Sequence, residues 1–233
     1  MRIVTALWAV LLVAGCARSA DSPPPRITPI PPARSTAAAP SAAPSATPPT
    51  AAPADVPQAG APMEAVLAWV GEGRPADAGA FGTVTSDGVA EALPAGAVAF
   101  TVAAAGVRCM SALLPTEAGL SCLATLAEPP PRPARGGEGT WIGGWVDFSG
   151  DELTVGGFHG DPGRFRLGDG PALPAGATLR FGDYRCRAGS AEVVCVHDAH
   201  RTGVQVSGAG VAPFGCLTAV EPPASGVGLQ YRC

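Results

Sequence analysis

Six of the seven cysteines lie between residues 109 and 233, and this set restricts the fold more than any other feature. No two of them form the Cys-x-x-Cys pair of a zinc site or a thiol oxidoreductase, and no histidine lies at ligand spacing from two cysteines. An even set of this kind predicts three disulfides in a chain that leaves the reducing cytosol. Six cysteines allow fifteen pairings, which spacing alone does not resolve. The six are Cys109, Cys122, Cys186, Cys195, Cys216 and Cys233.

The seventh cysteine, Cys16, ends the N-terminal apolar run. Arg2 precedes an apolar stretch over residues 3–14, which is too short to span a bilayer and has the length of a secretory signal core. The stretch ends in Leu-Val-Ala-Gly-Cys at residues 12–16. This resembles the lipobox of bacterial lipoproteins, where the cysteine thiol receives diacylglycerol and a peptidase cuts before it. The resemblance implies a signal peptide over residues 1–15, export, and anchoring of Cys16 in the outer face of the cell membrane.

The next segment, residues 16–62, has the composition of a disordered tether. Residues 17–62 hold 13 of the 26 prolines and no aromatic residue, and most of the others are Ala, Ser and Thr. Such a chain buries too little apolar surface to offset the entropy of ordering. We therefore expect one folded domain over residues 63–233, held away from the membrane by the linker.

The folded part is predicted to begin with one short helix. Met63, Val66, Leu67 and Val70 share a helical face, Pro62 suits the first turn, and a glycine suits the end. Trp69 lies beside this stripe. We expect it to extend the core face, with cover of a ligand groove as the alternative.

Beyond residue 81 the pattern indicates strands. Short runs of β-branched and aromatic residues alternate with Gly, Pro and Asp, which is typical of strands joined by tight turns. We predict a mainly-β domain, a disulfide-stapled sandwich or open barrel, with the helix packed against it. The predicted strands are FGTVT, AVAFTVA, TWIGGWVDF, ELTVGGF, RFRLG, ATLRFGDYRC, EVVCV, GVQVS and GLQYRC.

Two stretches of this domain repeat each other. Residues 93–109 and 173–186 both begin Leu-Pro-Ala-Gly-Ala and end Arg-Cys, and each is followed by a second cysteine. The repeat indicates two related hairpin units and favours the pairs Cys109–Cys122 and Cys186–Cys195, which leaves Cys216–Cys233. A further similarity links CLATLAEPP, beginning at Cys122, with CLTAVEPP, beginning at Cys216.

The second repeat resembles a known module. The segment LRFGDYRCRAGSAEVVCVHDAHRTGVQVS is similar to a cysteine-paired module of exported proteins and lipoproteins of mycobacteria, nocardiae and their relatives. Its Thr202-Gly203-Val204 stands where relatives often carry Gly-x-Gly-Phe. The resemblance implies export and disulfides but no activity. All 15 basic residues are Arg, which indicates a GC-rich coding bias and fits an actinobacterial source.

The segment VHDAHR is the one candidate for catalytic chemistry. An enzyme would use His197 or His200 as a base oriented by Asp198 or Asp161, with Ser190 or Ser207 as the nucleophile. No Gly-x-Ser-x-Gly elbow accompanies these residues, so we expect a polar loop at a strand end.

Two further groups could contact a ligand. Asp161 and Asp169, with Asp147, Asp151 and Glu152 upstream, lack the spacing of a calcium loop, and we interpret the Asp-Pro-Gly as a turn. Trp141 and Trp145 are four residues apart on a predicted strand and are expected to share one face. They are expected to be core residues, with a platform for stacking a sugar or peptide as the alternative.

The sequence thus predicts a lipid-anchored envelope protein that binds or scaffolds a cell-wall glycan or a protein partner. We find no motif for a cofactor, a metal or a catalytic centre, and the net charge of −4 gives no footprint for nucleic acid. The alternatives are an envelope-remodelling hydrolase that uses His197, Asp198 and His200, and a carrier of a small apolar ligand inside a β-barrel.

Overall fold

The computed structural model of the 233-residue chain describes residues 55–114, 119–160, 163–224 and 226–233. The predicted signal peptide, Cys16 and nearly all of the predicted linker lie outside the described residues, as does Asp161. Val56 and Ala61 already pack against the helix that follows. In the described part of the chain, we find no helix with the length and apolar character needed to cross a membrane.

The described residues form one α-helix and many short strands. The helix α1 is Met63–Gly71, close to the prediction. The strands are β1 (Arg74–Pro75), β2 (Thr83–Ser86), β3 (Val89–Ala92), β4 (Ala99–Val102), β5 (Val107–Ser111), β6 (Leu120–Ala124), β7 (Thr140–Phe148), β8 (Glu152–His159), β9 (Ala177–Phe181), β10 (Tyr184–Ala188), β11 (Glu192–His197), β12 (Thr202–Ser207), β13 (Gly210–Phe214), β14 (Thr218–Val220) and β15 (Val227–Arg232).

The strands form a sandwich of two open sheets and a small hairpin. The six-stranded sheet has the order β1-β9-β10-β11-β12-β13, and the seven-stranded sheet has the order β14-β15-β8-β7-β6-β5-β4. Strands β2 and β3 form the hairpin. The sandwich form of the prediction is therefore confirmed, and the open-barrel form is not adopted.

The sequence repeat corresponds to two units of the same topology. The first unit, β4–β8, and the second unit, β9–β13, are each a meander of five antiparallel strands. Cys109 opposes Cys122 in the first unit as Cys186 opposes Cys195 in the second. The similarity that begins at Cys122 and Cys216 does not mark equivalent positions, because Cys216 follows the fifth strand of its unit.

The three disulfides are those favoured by the repeat. Cys109–Cys122 and Cys186–Cys195 each join neighbouring strands, and Cys216–Cys233 ties the end of the chain to the segment before β14. The first two pairs are buried, whereas Cys216 and Cys233 are exposed. Disulfides are rare in the cytosol, where thiols are kept reduced, so these three indicate an oxidising compartment outside it.

Side chains from alternate positions of both sheets fill the space between them. The inward residues of β4–β8 and β9–β12 form one cluster, in which Phe100, Phe148 and Leu179 are at most 1% exposed. Alternation of inward and outward residues along each strand accounts for this arrangement. The filled interior gives no support to the carrier alternative, which requires a cavity there.

Helix α1 covers the outer face of the six-stranded sheet. Met63, Val66, Trp69 and Val70 pack against outward residues of β11 and β13. Trp69 is 4% exposed, so it extends the core face as expected. The helix is short, and this packed face rather than intrinsic propensity stabilises it.

A different element covers the outer face of the seven-stranded sheet. The segment RFRLG, predicted to be a strand, belongs to a 3-10 helix over Gly163–Leu167, so that prediction was wrong. Its Phe165 inserts among Met110, Trp145 and Val84 instead of alternating across a sheet. This contact with the sheet overrides the local strand pattern.

Candidate functional site

The two histidines of VHDAHR lie where the two sheets meet. His197 ends β11 and is 7% exposed, and its ring lies edge-on to Tyr184 at 4.7 Å between centroids. The exposed His200 lies 4.7 Å from His197, and its backbone N–H donates to His197 Nδ1 at 3.3 Å. Both rings pack against Gly150 in the β7–β8 turn, whose carbonyl accepts from Thr202 Oγ1.

This packing favours the neutral form of His197. Burial lowers the pKa of His197, and the neighbouring His200 lowers it further. Tyr184 donates to the carbonyl of Phe148 at 3.0 Å, and burial raises its pKa. The cluster therefore joins the turn of one sheet to the strand end of the other, which is a structural role.

Asp198 does not orient either histidine. Arg185 holds its carboxylate through Nε at 3.0 Å and through Nη2, and Arg180 donates to it as well. Burial favours a higher pKa for Asp198, but the hydrogen bonds from Arg185 and Arg180 outweigh it and lower the pKa. Asp198 is thus the counter-ion of two arginines.

The serines of the hydrolase hypothesis lie far from His197. Ser207 pairs with Glu192 at one end of the β11–β12 ladder, and His197 pairs with Thr202 at the other. Five residues of strand separate these ends, which is about 16 Å. Ser190 lies in the turn before Glu192, beyond the same distant end. The geometry does not assemble the proposed triad.

The two tryptophans of β7 lie on opposite faces, so the prediction of a shared face was wrong. The register of β7 against β8 shifts between Ile142 and Val146, where Gly143 and Gly144 form a bulge. Trp145 and Ile142 both pack in the outer cluster with Phe165. Trp141, as the strand neighbour of Ile142, points the other way.

Their surroundings differ accordingly. Trp145 is 3% exposed and stacks on His159 at 3.6 Å between ring centroids, so it is a core residue. Trp141 is half-buried and packs on Phe158 at 5.2 Å. The exposed Arg132 lies 5.1 Å above the same Phe158 ring. A stacking platform of two tryptophans is therefore not formed.

The acidic residues considered for calcium have other partners. Asp147 accepts from Ser121 Oγ, Asp151 accepts from Ser149 Oγ at 2.8 Å, and Glu152 accepts from Gln230 at 2.7 Å. Among the described residues, no three His, Cys, Asp or Glu side chains form a group able to hold a metal ion.

The structure shows a polar cleft that sequence reasoning missed. It has a volume of about 530 Å³ and lies on the outer face of the seven-stranded sheet. Arg108, Asp169, Thr101 and Thr125 supply its polar groups, and Leu123 supplies apolar surface. The one sequence signal that could have pointed to this cleft was the repeat, which aligns Arg108 with Arg185. Asp169 comes from outside the repeated stretch, so the sequence did not reveal the pair.

A second cavity, of about 380 Å³, lies beside the end of α1. The guanidinium of Arg187 lies over the Trp69 ring at 4.1 Å, and its Nη1 donates to the Trp69 carbonyl. Thr178 Oγ1 donates to the carbonyl of Val70 at 2.8 Å. These donors satisfy the last carbonyls of the helix, and the positive guanidinium interacts favourably with the negative end of the helix dipole. Arg187 therefore acts primarily as a helix cap.

Comparison of the chain with protein-family models, with curated proteins and with solved structures finds no match. The functional interpretation therefore rests on the sequence and on the geometry of the described residues.

Proposed function

We propose that this protein is an exported lipoprotein, anchored to the outer face of the cell membrane through diacylglyceryl-Cys16, whose sandwich domain binds a partner in the cell envelope. The observation that carries the proposal is the set of three disulfides, which is typical of an oxidising compartment of the kind that a lipobox-bearing chain reaches. The lipobox resemblance and the Pro-rich linker supply the anchor and the spacer. Two acyl chains give stable anchoring, whereas one is marginal.

A binding role fits the distribution of polar groups better than catalysis does. The histidines of the hydrolase alternative pack at the junction between the sheets, and Asp198 is the counter-ion of Arg185 and Arg180. The open polar surface is instead the cleft at Arg108, whose volume lies in the range of small-molecule sites. The resemblance to exported actinobacterial modules supports the same location.

Fatty-acid labelling of growing cells tests the anchor. The wild-type chain is expected to carry label and to sediment with membranes, and the Cys16→Ala variant is expected to lose both. A Ser19→Ala variant, three residues beyond the lipobox, is the matched control and should label normally. Equal label in wild type and Cys16→Ala would disprove lipid attachment at Cys16.

A further inference from the structure

The cleft at Arg108 is built on a row of side chains that crosses three strands. Thr101 on β4 opposes Arg108 on β5, and Arg108 opposes Leu123 on β6. Directly opposed residues point to the same face of a sheet, so these three side chains stand next to one another. They line the cleft together with Thr125 and Asp169.

The charged pair of the cleft is fixed in place. Arg108 Nη1 donates to Asp169 Oδ1 at 2.7 Å, and the guanidinium lies 5.2 Å from the centre of the Phe165 ring. The backbone N–H and C=O of Asp169 both pair with Thr85, at 3.0 and 2.8 Å. The pair therefore meets a ligand in a set geometry, which reduces the entropy cost of binding.

Comparison with the second unit shows which edge of Arg108 is open. Arg185 is the equivalent residue, since it precedes the paired cysteine and opposes β9 and β11 in the same register. There Asp198 occupies both Nε and Nη2 of the guanidinium. In the described part of the chain, Arg108 makes one hydrogen bond, through Nη1, so its Nε and Nη2 remain available.

The exposure of the pair agrees with this difference. The Arg108 side chain is 32% exposed and that of Asp169 is 56% exposed, whereas Arg185 and Asp198 are 20% and 27% exposed. Asp169 Oδ2 faces no hydrogen-bond donor among the described residues. The cleft thus presents a donor edge and an acceptor oxygen side by side.

We infer that this cleft binds a neutral sugar through two neighbouring hydroxyls, an inference that rests on the proposed binding role. A hydroxyl donates one hydrogen bond and accepts others, so it can accept from Arg108 while it donates to Asp169. The hydroxyls of Thr101 and Thr125 extend this set, and Leu123 offers apolar surface to the C–H groups of a pyranose ring. The ion pair has no net charge, and the Asp169 carboxylate repels an anionic ligand, so a carboxylate is a poorer fit.

Saturation-transfer NMR on the detergent-solubilised full chain tests the inference. Methyl glucoside, methyl galactoside, methyl mannoside and N-acetylglucosamine are the neutral probes, and acetate is the anionic probe. At least one neutral sugar is expected to receive saturation from the wild-type chain. Arg108→Gln and Asp169→Asn each remove a charge-assisted hydrogen bond and are expected to raise its Kd about tenfold or more.

The matched control is Arg201→Gln, which breaks a more exposed ion pair with Glu64 away from the cleft and should leave sugar binding unchanged. Thr125→Ala removes an exposed hydroxyl and provides a variant whose folding is not at issue. Absence of transfer to every sugar, transfer that survives in Arg108→Gln and Asp169→Asn, or Arg108-dependent binding of acetate alone would each overturn the inference. Each result leaves the fatty-acid labelling unaffected, so the failure of the sugar site and the failure of the lipid anchor are distinguishable.

Discussion

Reduction of the three disulfides is the perturbation that tests the link between fold and compartment most directly. In the chain-entropy account, a disulfide stabilises the native state by restricting the unfolded chain, and the effect grows slowly with loop length. The cysteines of the three pairs are 13, 9 and 17 residues apart. Each pair is therefore expected to contribute about 3 kcal/mol to the free energy of unfolding, and the three together about 9 kcal/mol.

This contribution is large beside the stability of a typical domain. Single domains unfold with a total of about 5–15 kcal/mol, so removal of about 9 kcal/mol leaves the domain marginal or unfolded. We therefore expect the reduced chain to be unfolded, or nearly so, under conditions in which the oxidised chain is folded. The domain would then reach its native state only in an oxidising compartment.

Urea unfolding followed by tryptophan fluorescence measures the effect, since Trp69 and Trp145 are buried and report on both outer faces. With an m-value of about 2 kcal/mol/M, the midpoint of the fully reduced chain is expected to fall by about 4.5 M. A shift below about 1 M would refute the argument that the fold depends on its disulfides.

The pairs should also respond in a fixed order. Cys216 and Cys233 are exposed, so a water-soluble phosphine should reduce this pair first under native conditions. The pair Cys186–Cys195 is fully buried, and its double alanine variant also leaves a cavity in the core. That variant is expected to lose more stability than Cys216→Ala/Cys233→Ala, and the reverse order would contradict the assignment of buried and exposed pairs.

Three other features of the structure predict measurable effects. The unfolding free energy should be greatest above pH 6.5 and fall as the pH drops below it, because burial lowers the pKa of His197 in the folded state and the unfolded chain binds the proton more tightly. Urea titrations at several pH values measure this slope, which His197→Phe should flatten. An unchanged slope in that variant would contradict the prediction. Trp145→Ala should lower the free energy of unfolding by about 3–5 kcal/mol, because the indole is 3% exposed, and Trp141→Ala should lower it clearly less. Equal shifts of the urea midpoint in the two variants would count against the bulge, which gives the two tryptophans different surroundings. Gly144→Ala should lower the melting temperature, because a Cβ there would overlap the carbonyl oxygen of Ala124 on β6. Gly160→Ala places its Cβ in open space and should leave the melting temperature nearly unchanged. Equal effects of the two variants would argue against the close approach of Gly144 to β6.

The parts of the fold that local pattern predicts are those held by neighbours in sequence. Helix α1, strand β7 over residues 140–148 and the cysteine-closed hairpins lie where the sequence indicates them, because periodicity, turn residues and the repeat act over short distances. The strand β13 escaped prediction because Pro213 interrupts its pattern, and as an edge strand it tolerates a proline.

The errors arise where distant contacts decide. The bulge at Gly143 and Gly144 reverses the face of Trp141, and nothing in the alternation of β7 reports the register of its partner strand. Phe165 belongs to a 3-10 helix because it fills the outer cluster over the sheet. The pairing of Arg108 with Asp169 joins residues 61 positions apart, so the cleft could not be derived from spacing alone.

The two units carry similar apolar residues on their inner faces and different residues on their outer faces. The candidate site lies on the outer face of the first unit. Equivalent inward positions hold Phe100 and Leu179, both fully buried between the sheets. The equivalent outward positions hold Trp145 in the first unit and Gly203 in the second, where the missing side chain lets Met63 of α1 approach. A complete helix covers the second unit, while a shorter 3-10 segment covers the first and leaves the row at Arg108 partly open. Both units carry an arginine at that row, and the carboxylate partner makes the difference: Asp198, directly after β11, holds Arg185 through Nε and Nη2, whereas Asp169 holds Arg108 through Nη1 alone.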